Sequence, residues 1–227
     1  PNNATNNTVI TDHARVWGFA LGYAWLQLIF PGANKPAGTV TYIKAEFDNG
    51  VINVLSNYQI TARAGATATN DGTEIASANV STTWVIDGAG NRFIRLVSTQ
   101  PYNSVRVRYN SAVAGEIRVF YARTISGDFC DLPQYASMES DGFNLGLGLG
   151  GQMLYANRAV DNNQNTAMVL NPSGTIVGVG VIGEVSETVY LTKPAVAGDE
   201  VVVTLGNNAG LGIGLFPGTT VAAYNGT

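Results

Sequence analysis

Val105-Arg106-Val107-Arg108-Tyr109 and, a few residues on, Ile117-Arg118-Val119-Phe120-Tyr121 decide how this chain reads. Both alternate with a period of two, the pattern of a strand with one face in a core and the other toward water. The first puts Val105, Val107 and Tyr109 on one face and two arginines on the other. The second repeats this with a more apolar outer face. The alternation predicts Val105, Val107, Tyr109, Ile117, Val119 and Tyr121 inside and Arg106, Arg108 and Arg118 outside, since burying an unpaired guanidinium costs far more than exposing it.

Outward from these two strands the same period recurs over residues 39–47, 83–86, 93–97, 174–181, 188–191, 200–205 and 219–224. The apolar runs 16–30 and 175–191 read as buried strands; the first is too short to span a bilayer and the second holds Glu184 and Glu187. Turn signals separate the strands: Asp48-Asn49-Gly50, Asn70-Asp71-Gly72, Asp87-Gly88, Gly206-Asn207-Asn208 and Asn225-Gly226. No segment carries a sustained 3.6-residue period. Many short strands punctuated by turns predict an all-β sandwich or barrel.

The chain also repeats itself. Residues 193–204 echo 34–43, residues 211–215 echo 51–55, and residues 220–226 echo 59–65, at an offset of about 160. One module used twice predicts two tandem jelly-roll-like β-sandwiches, residues 1–127 and 128–227. The second copy stops where the first runs on for about sixty residues. The expectation is a second module that is incomplete, finished by a following segment or by a neighbouring chain through strand addition. Between them, Phe143-Asn144-Leu145-Gly146-Leu147-Gly148-Leu149-Gly150 places leucines on one face and glycines on the other, as an extended strand does.

Composition narrows the function classes. Charged residues are 12% of the chain, about half the usual share, so its polar surface rests on Asn, Thr, Ser and Gln. Residues 1–125 carry ten Lys or Arg against seven Asp or Glu, residues 126–227 two against nine. That asymmetry of +3 and −7 favours head-to-tail contact between copies or adjacent modules. The arginines are scattered over strands, which argues against nucleic acid. The single histidine, His13, and the single cysteine, Cys130, make neither a catalytic constellation, nor a disulfide, nor a zinc site. No enzyme is expected.

Two segments carry binding chemistry. Oxygen-bearing side chains at Asp161, Asn163 and Thr166, with loop carbonyls, suit a hard cation such as calcium, and equally a turn held by Asx hydrogen bonds. The first-copy counterparts Asn3, Thr5 and Thr8 lack a carboxylate. Trp17, Tyr23, Trp25 and Trp84 offer ring faces for sugar stacking, or for packing between sheets.

Ala159-Val160-Asp161-Asn162-Asn163-Gln164-Asn165-Thr166 resembles the opening of discoidin-like, galactose-binding-like jelly rolls, with Asn162 where that family has Gly. A fuller resemblance is to the repeat modules of large bacterial surface proteins exported by type IX secretion. It rests on Cys130-Asp131-Leu132-Pro133-Gln134-Tyr135-Ala136, the glycine-rich run, the Asp161 loop, the strand 198–205 and the strand 221–226, in that order. The resemblance implies an extracellular or cell-surface adhesin or filament module. Its partners would be copies of itself or surface glycans.

Overall fold

The computed structural model describes residues 14–18, 22–47, 58–111, 115–124, 134–138, 152–163, 165–171, 173–176, 179–182, 185–191, 195–199, 201–203 and 220–224. The chain is all-β, its strands gathered in antiparallel sheets, with two 3-10 turns as the helical content among these residues.

Strands β1 (Ala14–Gly18), β2 (Gly22–Ile29), β3 (Val40–Phe47), β4 (Tyr58–Ala64), β5 (Thr73–Glu74), β6 (Val80–Asp87), β7 (Arg92–Ser98), β8 (Ser104–Ser111) and β9 (Gly115–Thr124) come first. They are followed by β10 (Tyr135–Ser137), β11 (Gln152–Leu154), β12 (Val169–Asn171), β13 (Ser173–Ile176), β14 (Val179–Ile182) and β15 (Val189–Tyr190). A larger sheet runs β1-β9-β3-β7-β6-β10-β15 and a smaller one β2-β8-β4-β5. β11 with β12 and β13 with β14 form two short antiparallel pairs.

The main core lies between the two sheets. Ile43, Ala45, Ile94, Leu96, Ile117 and Val119 from the larger sheet meet Leu28, Ile60, Ala62, Val105, Val107 and Tyr109 from the smaller. Each set is the inward half of an alternating strand, so burying one face of each sheet against the other fixes both registers. Tyr102 closes the core from the loop before β8. Its hydroxyl donates to the Thr39 carbonyl at 3.0 Å and pairs with Thr41 Oγ1 at 2.6 Å, so the phenol is buried without losing its hydrogen bonds.

The inward positions predicted from alternation hold for Val105, Val107, Tyr109, Ile117 and Val119. Arg106, Arg108 and Arg118 take the opposite faces and are half-buried there. Tyr121 is a correction. Lys44 pairs with Tyr121 and Ala45 with Val119, so the register shifts there and Phe120 is the extra residue of a bulge. One extra residue reverses the alternation. Beyond the bulge Ala122 and Thr124 are buried, while Tyr121 packs into a second cluster with Tyr42, Val85, Phe93 and Tyr135.

Four other strand expectations are also corrected. The run 16–30 is two strands, β1 joining the larger sheet and β2 the smaller, with Gly18 and Gly22 at the break. The run 174–181 folds back on itself as β13 and β14, Ile176 pairing with Val179. Residues 201–203 and 220–224 form no ladder, and Val202 and Tyr224 are largely exposed. An alternating sequence makes a strand only where a partner supplies the hydrogen bonds.

Residues from both expected modules share the larger sheet. β10 pairs with β6 and β15 with β10, extending the sheet built by residues 14–124. The first-copy turn Asp87-Gly88 is real: the Asp87 carboxylate accepts the Asn91 backbone N–H at 2.8 Å and its Nδ2 at 2.9 Å. Gly88 is required there for another reason. A Cβ at this position would sit 2.5 Å from the Val160 carbonyl and 2.6 Å from the Asp161 Cα, so the loop after the 3-10 turn Ala156–Ala159 rests directly on this glycine.

Ile43, wholly buried on β3, is expected to cost about 2–5 kcal/mol when changed to Ala. Val202→Ala, at an 80% exposed position, should stay within about 0.5 kcal/mol. Urea unfolding of the two variants checks both values.

Candidate functional site

The outer face of the larger sheet carries a pattern the sequence holds in plain view. Tyr42 and Lys44 on β3, Phe93 and Arg95 on β7, and Tyr121 and Arg123 on β9 each place an aromatic residue two positions before a base. The ladder registers them into a checkerboard. Arg123, Tyr42 and Arg95 lie in one cross-strand row, Tyr121, Lys44 and Phe93 in the next. Cross-strand neighbours on one face are close enough for cation–π contact. The Arg123 guanidinium lies 5.8 Å from the Phe93 ring and 6.0 Å from Tyr121, and Lys44 Nζ lies 5.1 Å from Phe120.

β10 brings Tyr135 onto this face. Its ring stacks on Tyr42 at 4.1 Å and meets Phe93 edge-on at 5.3 Å. Arg123 Nη2 donates to its hydroxyl at 2.6 Å. β15 adds Tyr190, over which the Arg95 guanidinium lies at 4.6 Å. Burial pushes the Tyr42 hydroxyl up to about 12 against the opposing pull of Arg95. Burial likewise raises Tyr135, against the pull of Arg123. Both phenols are neutral at any physiological pH.

Beside Tyr135 a groove of about 330 Å³ opens between the β6–β7 turn and the loop after the 3-10 turn. Asp87, Gly88, Arg123, Gln134, Val160 and Asn162 line it. Asn162 holds a left-handed backbone, φ 57°, which Asn tolerates better than most residues.

The structure brings Asp161, Asn163 and Thr166 together. Asp161 Oδ1 accepts the Asn163 N–H at 2.9 Å and its Oδ2 accepts the Thr166 hydroxyl at 2.7 Å. Asn163 Oδ1 takes the Asn165 N–H at 3.0 Å. These are consecutive Asx turns, and they occupy both carboxylate oxygens. The Thr166 hydroxyl and then the Asn163 N–H hold the Asp161 carboxyl below the usual carboxylate range. Among the described residues no group of three His, Cys, Asp or Glu gathers to hold a metal.

The expected aromatic platform divides. Trp84 is a core residue whose Nε1–H donates to the Tyr58 hydroxyl, so it offers no face to a ligand. It points inward because it shares the phase of Ile86 and Thr82 across from Ile94 and Leu96. Tyr23 and Trp25 do stand on the outer face of β2, 62% and 45% exposed. Each is covered by an arginine of β8: Arg108 lies 3.9 Å from the Tyr23 ring and Arg106 4.0 Å from Trp25. Arg106 is further held by Asp71 at 2.7 Å and Gln27 at 2.6 Å. The side chain of Trp17, together with His13, Cys130 and the glycine-rich run 143–151, lies outside the described residues.

Comparison with protein-family models, with characterised proteins and with solved structures gives no match. The site therefore rests on its own geometry. Sequence reading missed the checkerboard and Tyr135. The repeated aromatic-x-base triplet would have found the first, whereas Tyr135 reaches this face only through the pairing of β10 with β6.

Two outcomes follow from the charged groups. Burial pushes the Glu187 carboxyl up to about 8, partly offset by the Ser137 hydroxyl and N–H beside it. The fold therefore holds a proton that the unfolded chain, with an ordinary glutamate, has lost. Stability should fall as pH rises from about 4.5 to 8 and level off above that. Glu187→Gln should flatten this slope, and thermal melts across pH 5–9 measure it. For Asp161 the sign is opposite: its lowered value stabilises the fold above the ordinary carboxylate range, and that contribution is lost as acid protonates it. With hydrogen bonds alone holding the loop, Asp161→Ala lowers the melting temperature equally with and without chelator. A calcium-dependent rise that Asp161→Ala abolishes would instead make Asp161, Asn163 and Thr166 calcium ligands.

Proposed function

We propose that this chain is a structural, non-catalytic repeat unit of an extracellular adhesin or surface filament, joined to its neighbours by strand addition. The observation that carries this reading is the extension of the larger sheet. β6 would be its edge if the sheet ended with the strands of residues 14–124, and β10 and β15 from beyond residue 127 pair onto it instead. An exposed sheet edge accepts an added strand through main-chain hydrogen bonds, and the same pairing would join one span of a repeat to the next.

The charge asymmetry supports the same reading. Residues 1–125 at +3 facing residues 126–227 at −7 favour a head-to-tail approach over a head-to-head one. A head-to-tail contact that does not close on itself produces a linear array. The resemblance of the ordered motifs in residues 130–226 to type IX-exported surface modules agrees with this. The division into modules 1–127 and 128–227 belongs to the proposal.

A second reading, a pair of carbohydrate-binding modules, is favoured by the exposed rings of Tyr23 and Trp25. Light scattering and negative-stain electron microscopy over a concentration series separate the two. The assembly reading expects linear oligomers that grow with concentration and shrink as salt screens the opposing charges. A chain that stays monomeric throughout, and binds a glycan array in a manner lost with Trp25→Ala, reverses the order of the two.

A further inference from the structure

The groove beside Tyr135 has a composition that selects among ligand classes. Its charges oppose each other. The Asp87 carboxylate is fixed by three contacts from Asn91, the backbone N–H at 2.8 Å and Nδ2 at 3.2 and 2.9 Å to its two oxygens. The Arg123 guanidinium is fixed by its bond to the Tyr135 hydroxyl. An anion entering the groove meets Asp87, and a cation meets Arg123. A neutral ligand meets neither penalty.

The hydrogen-bonding groups are of both kinds. Arg123 lines the groove as a donor-only group. Gln134 and Asn162 each present a donor and an acceptor from one amide. Asp87 supplies acceptors only. Vicinal hydroxyls, each donor and acceptor at once, match such a mixed lining, whereas an apolar or purely accepting molecule leaves half of it unpaired. Val160 and Ala89 give the groove an apolar portion for a C–H surface. Its size, about 330 Å³, is at the small end of ligand pockets.

The walls are held before any ligand arrives. Tyr135 is clamped by Tyr42 and Phe93, and the 160–162 loop sits on Gly88 with no room for a side chain between. A site built on such supports binds without first ordering itself.

We infer that the groove between the β6–β7 turn and the 160–162 loop binds a single neutral saccharide residue. This rests neither on assembly of the modules nor on the Tyr23 and Trp25 face.

The test is saturation-transfer NMR on the full chain with neutral hexoses and N-acetylhexosamines, alongside glucuronate and glucosamine as anionic and cationic analogues. The expected result is transfer to a neutral sugar, with at least about tenfold weaker binding of both charged analogues. Gln134→Ala and Asp87→Asn should each weaken the neutral sugar about tenfold, while Trp25→Ala leaves it unchanged. Gln134 lies outside both buried clusters, so its variant keeps the test readable should Asp87→Asn disturb the turn. Absence of transfer to any neutral sugar, preference for glucuronate, or a loss that follows Trp25→Ala rather than Gln134→Ala overturns the inference.

Discussion

The register between β3 and β9 shifts by one residue at Phe120, and the placement of everything beyond it on β9 depends on that bulge. Before the bulge, Ile117 and Val119 point into the sandwich; after it, Ala122 and Thr124 do. Had the alternation run on unbroken, Tyr121 and Arg123 would face the core, where a guanidinium without a partner is costly. The bulge turns them outward instead, into register with Tyr42 and Lys44. Arg123 can then reach the Tyr135 hydroxyl, and Tyr135 in turn anchors β10 over Tyr42. One supernumerary residue thus decides where the later part of the chain attaches.

The attachment is of an unusual kind for a sheet face. Faces of antiparallel sheets that do not pack on another sheet are commonly solvated. Here the outer face of β3, β6 and β7 buries Tyr42, Val85 and Phe93 almost completely. Aromatic stacking and cation–π contacts are worth about 0.5–1.5 kcal/mol each in favourable geometry, so their number matters more than any one of them. The bases in the checkerboard keep the face polar enough to be wetted wherever it is uncovered. Next to this face, Glu187 is buried where β15 joins β10, and its need for a proton makes that junction the acid-favoured part of the fold.

The fold class was legible because burial on one face imposes a period of two, and that period survives in Val105 to Tyr109 without interruption. Its failures have local physical causes. The bulge at Phe120 carries no glycine to mark it, and an apolar run such as 16–30 reads the same whether it stays in one sheet or crosses between two. Residues 201–203 are three valines with strong strand preference yet form no ladder among the described residues, which no single strand can announce. The Asp161, Asn163 and Thr166 trio was legible as a unit because Asx and Ser/Thr hydrogen bonds are made within a few residues. The groove was not, because Asp87, Arg123, Tyr135 and Asn162 come together only through sheet order and the packing of a loop on Gly88.

β2 is the outermost strand of the smaller sheet, eight residues long, and carries Tyr23 and Trp25 with Arg108 and Arg106 laid over their rings. Long exposed edges invite indiscriminate pairing with other chains, and bulky charged side chains beside them are a known deterrent. The arginines stand one strand in from this edge, on β8, and lay charge over the rings that β2 exposes. The short edge at β15 carries no comparable ladder among the described residues, so the two sheets differ in how readily they recruit another strand.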